Sequence, residues 1–519
     1  MVLITMAPKT KYDTIAEIAK RRGFFWQSFE IYGGMSGFVD YGDLGTKLKR
    51  NIEQLWKEFF VRRQGFQELE APVINPQRIF EASGHLDNFK EYSAECSQCG
   101  NSFRADHLIE DKTGLENVEA MGGEAIKRMM VENKIKCPRC GGELKEPELF
   151  LTMFKTEIGA TGGEIGYLRP ETAQSMFINY KRGYINAREK LPFALAQSSK
   201  VARNEISPRR GMLRLREFTI MELELFFDPE NPACPWFNDV KDTVIRFYTE
   251  EMEAQHVKEP KMLSIMEAVE QGLILTEWQG YFMGLGQKFM EALGVPEENQ
   301  RFRAHLPDER AHYSAQTFDH EVKLDTWGWT EISGCAYRTD FDLRNHQQAS
   351  GQNMEVLRED GTRYIPHVVE PSYGLDRLVY IVMENSYERK EAEKRNIFHF
   401  ARTLAPYQVA VFPLVSKDGI EEKADEVRDL LQKKGFWVIY DTGGSIGRRY
   451  ARVDEIGIPL AVAVDYSTKD ENILTIRDRD SWEQVSLKVK DLPDALEAYF
   501  KREKDFAELG TPVEKTENK

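Results

Sequence analysis

Residues 203–227, RNEISPRRGMLRLREFTIMELELFF, are the stretch on which the reading turns. They hold five arginines and four glutamates in a segment that otherwise reads as two strands around a loop. Side chains alternate faces along a strand. The odd positions Leu215, Glu217, Thr219, Met221, Leu223 and Leu225 form a mostly apolar face suited to a core, and the even positions are Arg214, Arg216, Phe218, Ile220, Glu222 and Glu224. Arg203 and Glu205 share a face of the preceding strand, and ISPRRGML between the two strands reads as a flexible loop with two arginines. Such a mixture fits an ordinary solvated face, a network of ion pairs, or a sheet-floored cleft. In the last case the arginines serve a phosphate, the Phe stacks a flat base, and the glutamates meet a cation.

The rest of the chain narrows the choice. Its 519 residues predict three or four domains, and 41% hydrophobic with 30% charged residues is a globular composition. No run approaches the ~18 apolar residues of a membrane span, and MVLITMAPKTKYD lacks a signal-peptide core. Six cysteines are few for this length and four stand in CxxC pairs, which points to a reducing cytoplasm rather than disulfides. The net charge of −15 excludes a chain coated in nucleic acid but allows an RNA partner at a local basic patch.

The pattern along the chain predicts seven segments. Residues 1–92 open with helices over 12–23 and 45–64, the second placing Leu48, Ile52, Leu55, Trp56 and Phe59 on one face, followed by a strand in FQELEAPVI. Residues 93–150 are bounded by the CxxC pairs around a polar helical middle. Residues 151–228 and 311–404 read as alternating strands with a final helix, GLDRLVYIVMENSY, and 229–310 between them reads as an insert. Residues 405–505 alternate strands and helices as a compact α/β domain, and the polar tail 506–519 reads as disordered.

Arg203-x-Glu205, a loop, then Arg214 and Phe218 resemble motif 2 of the class II aminoacyl-tRNA synthetases. GFQELEAPVI, ending at Val73 and Ile74 just after Pro72, resembles motif 1, and EPSYGLDRLVYIVMENSY with Arg377 resembles motif 3. Residues 405–505 resemble the anticodon-binding domain of the subgroup with the glycyl, prolyl, threonyl and histidyl enzymes. EIYGGMSGFVDYGDLG, RPETAQSMF, WTEISGCAYRTDFDL and PHVVEPSYGLDR are most similar to the dimeric glycyl-tRNA synthetases, although Asp43 stands where those more commonly carry Pro. The resemblance covers about residues 12–505. It implies an α+β fold: a class II antiparallel catalytic sheet with helices, a C-terminal α/β anticodon-binding domain and a zinc-ribbon-like insert.

It also implies a chemistry and its residues. Glycine's carboxylate attacks the α-phosphate of ATP, pyrophosphate leaves, and the glycyl group passes to tRNA. Arg203 would hold the α-phosphate and the amino-acid carboxylate, Arg377 the γ-phosphate, and Arg214 belongs to the same ATP set. Arg's planar fork suits such contacts. Phe218 would stack adenine, Glu205 accept from its amino group, and Glu370 contact Mg²⁺. Glu171, Glu222 and Glu331, with Ser333 and Ser372, would ring glycine's ammonium, since carboxylates crowded together favour a cation among them. Glu224 shares their face but reads as solvated or paired, and Arg301 in RFRAHLPDERAHY is a further residue able to approach the substrate.

Cys96-x-x-Cys99 and Cys137-x-x-Cys140 frame 37 residues and would complete a closed Cys₄ zinc site. Reduced thiols without a metal, or an iron–sulfur site, are the alternatives. The intervening stretch exceeds the usual ribbon spacing of about 15–20, so a helical insert must bulge from it. Cys234 and Cys335 read as buried thiols. In GRRYARVDE, Arg448, Arg449 and Arg452 with Tyr450 are the expected tRNA contacts, as against a salt-bridged helix end. Family architecture puts the two inserts beside the acceptor stem, and motif 1 implies a homodimer. The competing readings are a synthetase-like binding subunit without catalysis and a synthetase for another amino acid.

Overall fold

The computed structural model describes residues 9–115, 118–160, 162–208, 210–307, 309–358 and 360–513. Its centre is a nine-stranded sheet. In spatial order the strands are Lys261–Ser264, Val244–Tyr248, Gln300–Ala304, Gln316–Leu324, Gly328–Thr339, His367–Gly374, Glu217–Phe227, Phe193–Ala202 and Gln67–Glu68. The run from Gln300–Ala304 to Phe193–Ala202 is antiparallel throughout. Met221, Leu223 and Leu225 of the opening stretch face the main core with Leu48, Ile52, Trp56 and the aromatic helix Glu277–Ala292. The odd-numbered face is therefore the core face, as its alternation predicts.

The N-terminal helices form where expected. Thr10 and Asp13 cap Lys11–Arg22 reciprocally, and Gly23 ends it in the left-handed region. Helix Asp43–Lys57 buries Leu44, Leu48, Ile52 and Trp56 and runs on into a wider π-helical turn, Glu58–Arg62. Asp43 starts this helix, ion-pairs with Lys47 and accepts from the Tyr407 hydroxyl at 2.7 Å, so it fastens the helix to the chain entering the C-terminal domain. The strand expected across FQELEAPVI is split: Gln67–Glu68 joins the nine-stranded sheet, residues 69–73 lie outside any ladder, and Ile74 opens the strand Ile74–Pro76 of a separate three-stranded sheet.

Two predicted segments differ. Residues 229–310 are not a separate insert: three of their strands extend the catalytic sheet through the pairing of Gln300–Ala304 with Gln316–Leu324, and Trp278, Tyr281, Phe282, Phe289 and Met290 fill the main core. Helix Glu277–Ala292 is apolar nearly all round, the mark of a helix buried inside a domain. The tail is ordered as far as described. Thr511–Pro512 pairs with Gln484–Lys488, Leu509 is buried, and a Cβ on Gly510 would lie 2.4 Å from the Ser486 carbonyl oxygen. Residues 514–519 lie outside the described residues.

The C-terminal domain is a six-stranded sheet, ordered Val438–Tyr440, Val409–Pro413, Leu460–Val464, Ile473–Asp478, Gln484–Lys488 and Thr511–Pro512, with its own core. Its other side joins the main core through Ala410, Phe412, Val453 and Ile458 against Phe398 and Phe400. Gly457 has φ +75, and a Cβ there would lie 2.3 Å from the Phe400 ring. The turn and the close approach both require glycine. The expected insert at 93–150 is a compact module, with sheet Lys90–Glu95, Ser102–Arg104 and Glu148–Leu151, helices Ala105–Thr113 and Gly123–Glu132, and a small core.

Candidate active site

The even-numbered face of Glu217–Phe227 decides among the three readings of the opening stretch. It is not solvated: Glu222 is 2% exposed and Glu224 0%. Nor is it a matched ion-pair network. Toward the start of the strand the face opens into a cleft of about 280 Å³, lined among others by Arg203, Glu205, Arg214, Phe218, Glu331, Asp376 and Arg377. The Arg203 guanidinium lies 5.5 Å from the Phe218 ring, its Nε donating to the Pro170 carbonyl at 3.1 Å. Arg214 donates to Glu205 at 2.7 Å, and Arg216 is tied to the carbonyls of Glu205, Ser36 and Ile206. The loop expected to be flexible carries a helical turn at Gly211–Leu213, and Arg209 lies outside the described residues.

Asp376, a residue that sequence reasoning passed over, aims Arg377. Its buried carboxylate accepts from Tyr41 at 2.6 Å, Lys49 at 2.6 Å and the Thr219 amide at 2.5 Å, which fixes the start of helix Leu375–Ser386 on the sheet. Burial alone would raise this carboxyl, but Lys49 and the donors outweigh it and hold it below its ordinary value. Arg377 donates to the Glu331 carbonyl and stands 3.7 Å from the Glu331 carboxylate.

Deeper along the same face lies a nest of acids. Glu222 accepts from the Thr172 amide at 2.6 Å, the Thr172 hydroxyl at 2.5 Å and the Ser372 hydroxyl at 3.0 Å. Glu171 stands 3.2 Å from His85 Nε2, close but without hydrogen-bond alignment, and accepts from Gln174 at 3.2 Å. Glu370 pairs with Arg338 at 2.8 Å. Arg338 is fully buried, binds both oxygens of Asp342 at 2.8 and 2.9 Å, lies 4.0 Å from Glu171 and packs 3.7 Å from the centre of the Tyr313 ring. Burial and then the Glu171 charge raise Glu222; burial, only partly offset by Arg338, pushes Glu370 up to about 7. Glu171 is held below its ordinary value because His85, Arg338 and Gln174 together outweigh its burial.

This geometry corrects four expectations. The third acid beside Glu171 and Glu222 is Glu370, not Glu331, whose side chain is 54% exposed in the cleft. Ser333 faces Tyr373, which lies in the main core, so it points to the opposite side of the sheet from Ser372. A bulge is the cause: His320 pairs with Ser333 and Glu321 with Glu331, which leaves Ile332 unpaired and breaks the alternation. Glu370, expected at Mg²⁺, is instead engaged with Arg338 inside the nest. Glu224, expected to be solvated or paired, is buried with neither oxygen bonded among the described residues. Arg338 and Asp342 were missed although both stand in the quoted YRTDFD; their signal is an Arg at a strand end with an Asp at i+4. Arg301, half-buried, is held by Glu321 between the rings of Tyr248 and Trp329.

The four CxxC sulfurs lie within 4.8 Å of one another, with Cys96–Cys140 at 3.6 Å and Cys99–Cys137 at 3.7 Å. A tetrahedral zinc with ~2.3 Å bonds needs sulfur–sulfur edges of about 3.8 Å, so the donor set fits. Each knuckle is a tight turn, with Gly100 and Gly141 amides bonded back to the Cys96 and Cys137 carbonyls. Cys234 and Cys335 are buried and separate, as expected. Among the expected tRNA contacts only Arg448 is freely exposed. Arg449 is buried against the carbonyls of Pro413 and Gly444, Arg452 is bound to Asp441, and Tyr450 packs between Phe412 and Arg477.

Comparison with known proteins agrees with this architecture. The profile described as tRNA synthetase class II core domain (G, H, P, S and T) matches residues 154–386, and the anticodon binding domain profile matches 408–499. A glycine–tRNA ligase from Aeropyrum pernix is 40% identical, over 97% of this chain and 99% of its own length. Those of Methanothrix thermoacetophila and Pyrococcus horikoshii are also 40% identical, covering 97% and 94% of this chain and 99% and 98% of their own lengths. The chain belongs to the glycine–tRNA ligase family of class II aminoacyl-tRNA synthetases.

Proposed function

We propose that the protein joins glycine to ATP as glycyl adenylate and transfers it to tRNA, and that glycine is recognised by its ammonium in the nest of Glu171, Glu222 and Glu370 with Ser372. The observation that carries this reading is the excess of buried acid over base beside an arginine-lined cleft. Glycine offers no side chain to grip, so its ammonium and carboxylate are the only handles. A concentration of buried carboxylates favours a small cation, and their bulk leaves a methyl group in alanine's place to clash.

The carboxylate nucleophile is already ionised and needs no base. The work is alignment and charge compensation at the phosphates. Arg203 takes the α-phosphate and glycine carboxylate, Arg377 the γ-phosphate, and Phe218 stacks adenine. Glu205 accepts from the adenine amino group, with Arg214 holding it in place. Mg²⁺ would supply further charge neutralisation on the phosphates, and the half-exposed Glu331 fits that hard cation better than the buried Glu370. Zinc on Cys96, Cys99, Cys137 and Cys140 has a structural role, since four thiolates leave no open position. Arg448 meets tRNA, and a homodimer in the cytoplasm accords with the motif 1 resemblance and the unpaired thiols.

The test is ATP–pyrophosphate exchange with each amino acid. Exchange is expected with glycine and not with alanine, serine, proline or threonine; exchange with another of these, or with none, overturns the reading.

A further inference from the structure

One acid on the active-site face has no part in the scheme above. Glu224 follows Glu222 by two residues on the same face, and the register that pairs Glu222 with Ser372 and Leu225 with Val369 brings it opposite Glu370. It is 0% exposed, and neither carboxyl oxygen has a hydrogen-bond partner among the described residues. The charged groups around it are Glu370, Arg338, Glu222 and Asp342, and Leu195 stands opposite it on the neighbouring strand. Arg338 is already engaged by Asp342 and Glu370. A charge on Glu224 would therefore sit buried without a donor, and burial followed by repulsion from Glu370 pushes this carboxyl well above the ordinary range.

A carboxyl that keeps its proton gains an O–H donor, and the acceptor opposite it is Glu370. We propose that Glu224 is a positioning residue for glycine, which holds a proton behind the pocket and directs it at Glu370, fixing the carboxylate that meets the ammonium. The inference rests on the reading that Glu370 belongs to the ammonium nest.

Glycine-dependent exchange measured against pH, with melting temperatures, tests it in three variants. Glu224→Gln keeps a neutral donor and is expected to match the wild type in glycine KM and pH profile. Glu224→Leu removes the donor. Its glycine KM is expected to rise about 10- to 100-fold, the worth of one hydrogen bond to a charged group, with kcat and ATP KM little changed. The acid limb of its kcat/KM profile should move to higher pH, because Glu370 loses a donor that favours its charged form. A wild-type KM and profile in Glu224→Leu reduces Glu224 to packing and overturns the inference, whatever the melting temperature does. So does a Glu224→Gln variant as impaired as Glu224→Leu, which would mean that the site needs a charge there. Glu370→Gln separates the two levels: an unchanged glycine KM overturns the ammonium reading itself, whereas a raised KM with Glu224→Leu unaffected overturns this inference alone.

Discussion

Two buried clusters of acid in this molecule are built on opposite plans. In the C-terminal domain, Asp454 binds Arg477 through both oxygens at 2.9 and 3.1 Å with Arg395 at 3.5 Å, and Glu455 is held by Arg21, Arg22 and Asn396. Arginines outnumber the acids there. In the catalytic domain, Glu171, Glu370 and Asp342 gather on the guanidinium of Arg338, Glu222 and Glu224 have no ion-pair partner among the described residues, and Arg169 and His85 lie nearby. The first cluster joins two domains and is complete in itself. The second lacks positive charge, and a substrate ammonium would supply it.

The comparison breaks most readily at Arg477. Arg477→Met leaves Asp454 with only the more distant Arg395, and stability is expected to fall by about 3–5 kcal/mol in denaturant unfolding, with glycine KM unchanged. An altered glycine KM would mean that the clusters are not separate.

Next in size is the pH dependence of the unliganded protein. Glu370 is raised from an ordinary 4.5 to about 7, so the folded state binds the extra proton between these values. Stability should then decline as pH rises through that window, Glu370 contributing up to about 3 kcal/mol and the raised Glu222 and Glu224 adding to it, so Glu370→Gln should make the decline shallower by the Glu370 share. Glycine binding should strengthen over the same window, because the ionised acid is the form that meets an ammonium. Stability rising from pH 4.5 to 7 in the wild type, with no change in slope in the variant, would contradict the assignment.

Glu222→Gln sharpens the contrast. Its glycine KM is expected to rise by about 10- to 100-fold, roughly 1.5–3 kcal/mol of binding, while the melting temperature holds or increases because a strained charge has gone. A loss of stability like that of Arg477→Met would show that the nest is structural. The smallest effect is at the surface. Arg448→Ala should weaken tRNA binding a few-fold and lower the salt slope by about one, leaving glycine-dependent exchange intact.

Much of this was legible in the strand periodicity and the ordered motifs. The alternation in residues 215–225 placed the core face, and the CxxC pairs placed the cluster of four thiols. What failed did so for local physical reasons. The bulge at Ile332 put Glu331 and Ser333 on different sides of the sheet, and a single unpaired residue is invisible to a period-two rule. Arg449 looked like an RNA contact because its neighbours are basic, yet its guanidinium binds main-chain carbonyls inside the domain. Glu224 reads as surface in any pattern that assumes buried acids are matched. Residues 229–310 look like an insert in the linear order, but their strands add to the sheet edge through a pairing that only the tertiary fold creates.

The most direct test is a crystal structure with a non-hydrolysable glycyl-adenylate analogue. The account predicts that the ammonium will lie within hydrogen-bond distance of Glu171, Glu222 and Glu370, with Glu331 on the phosphate side. An ammonium bound by Glu331, or Glu370 turned away from it, would contradict the account.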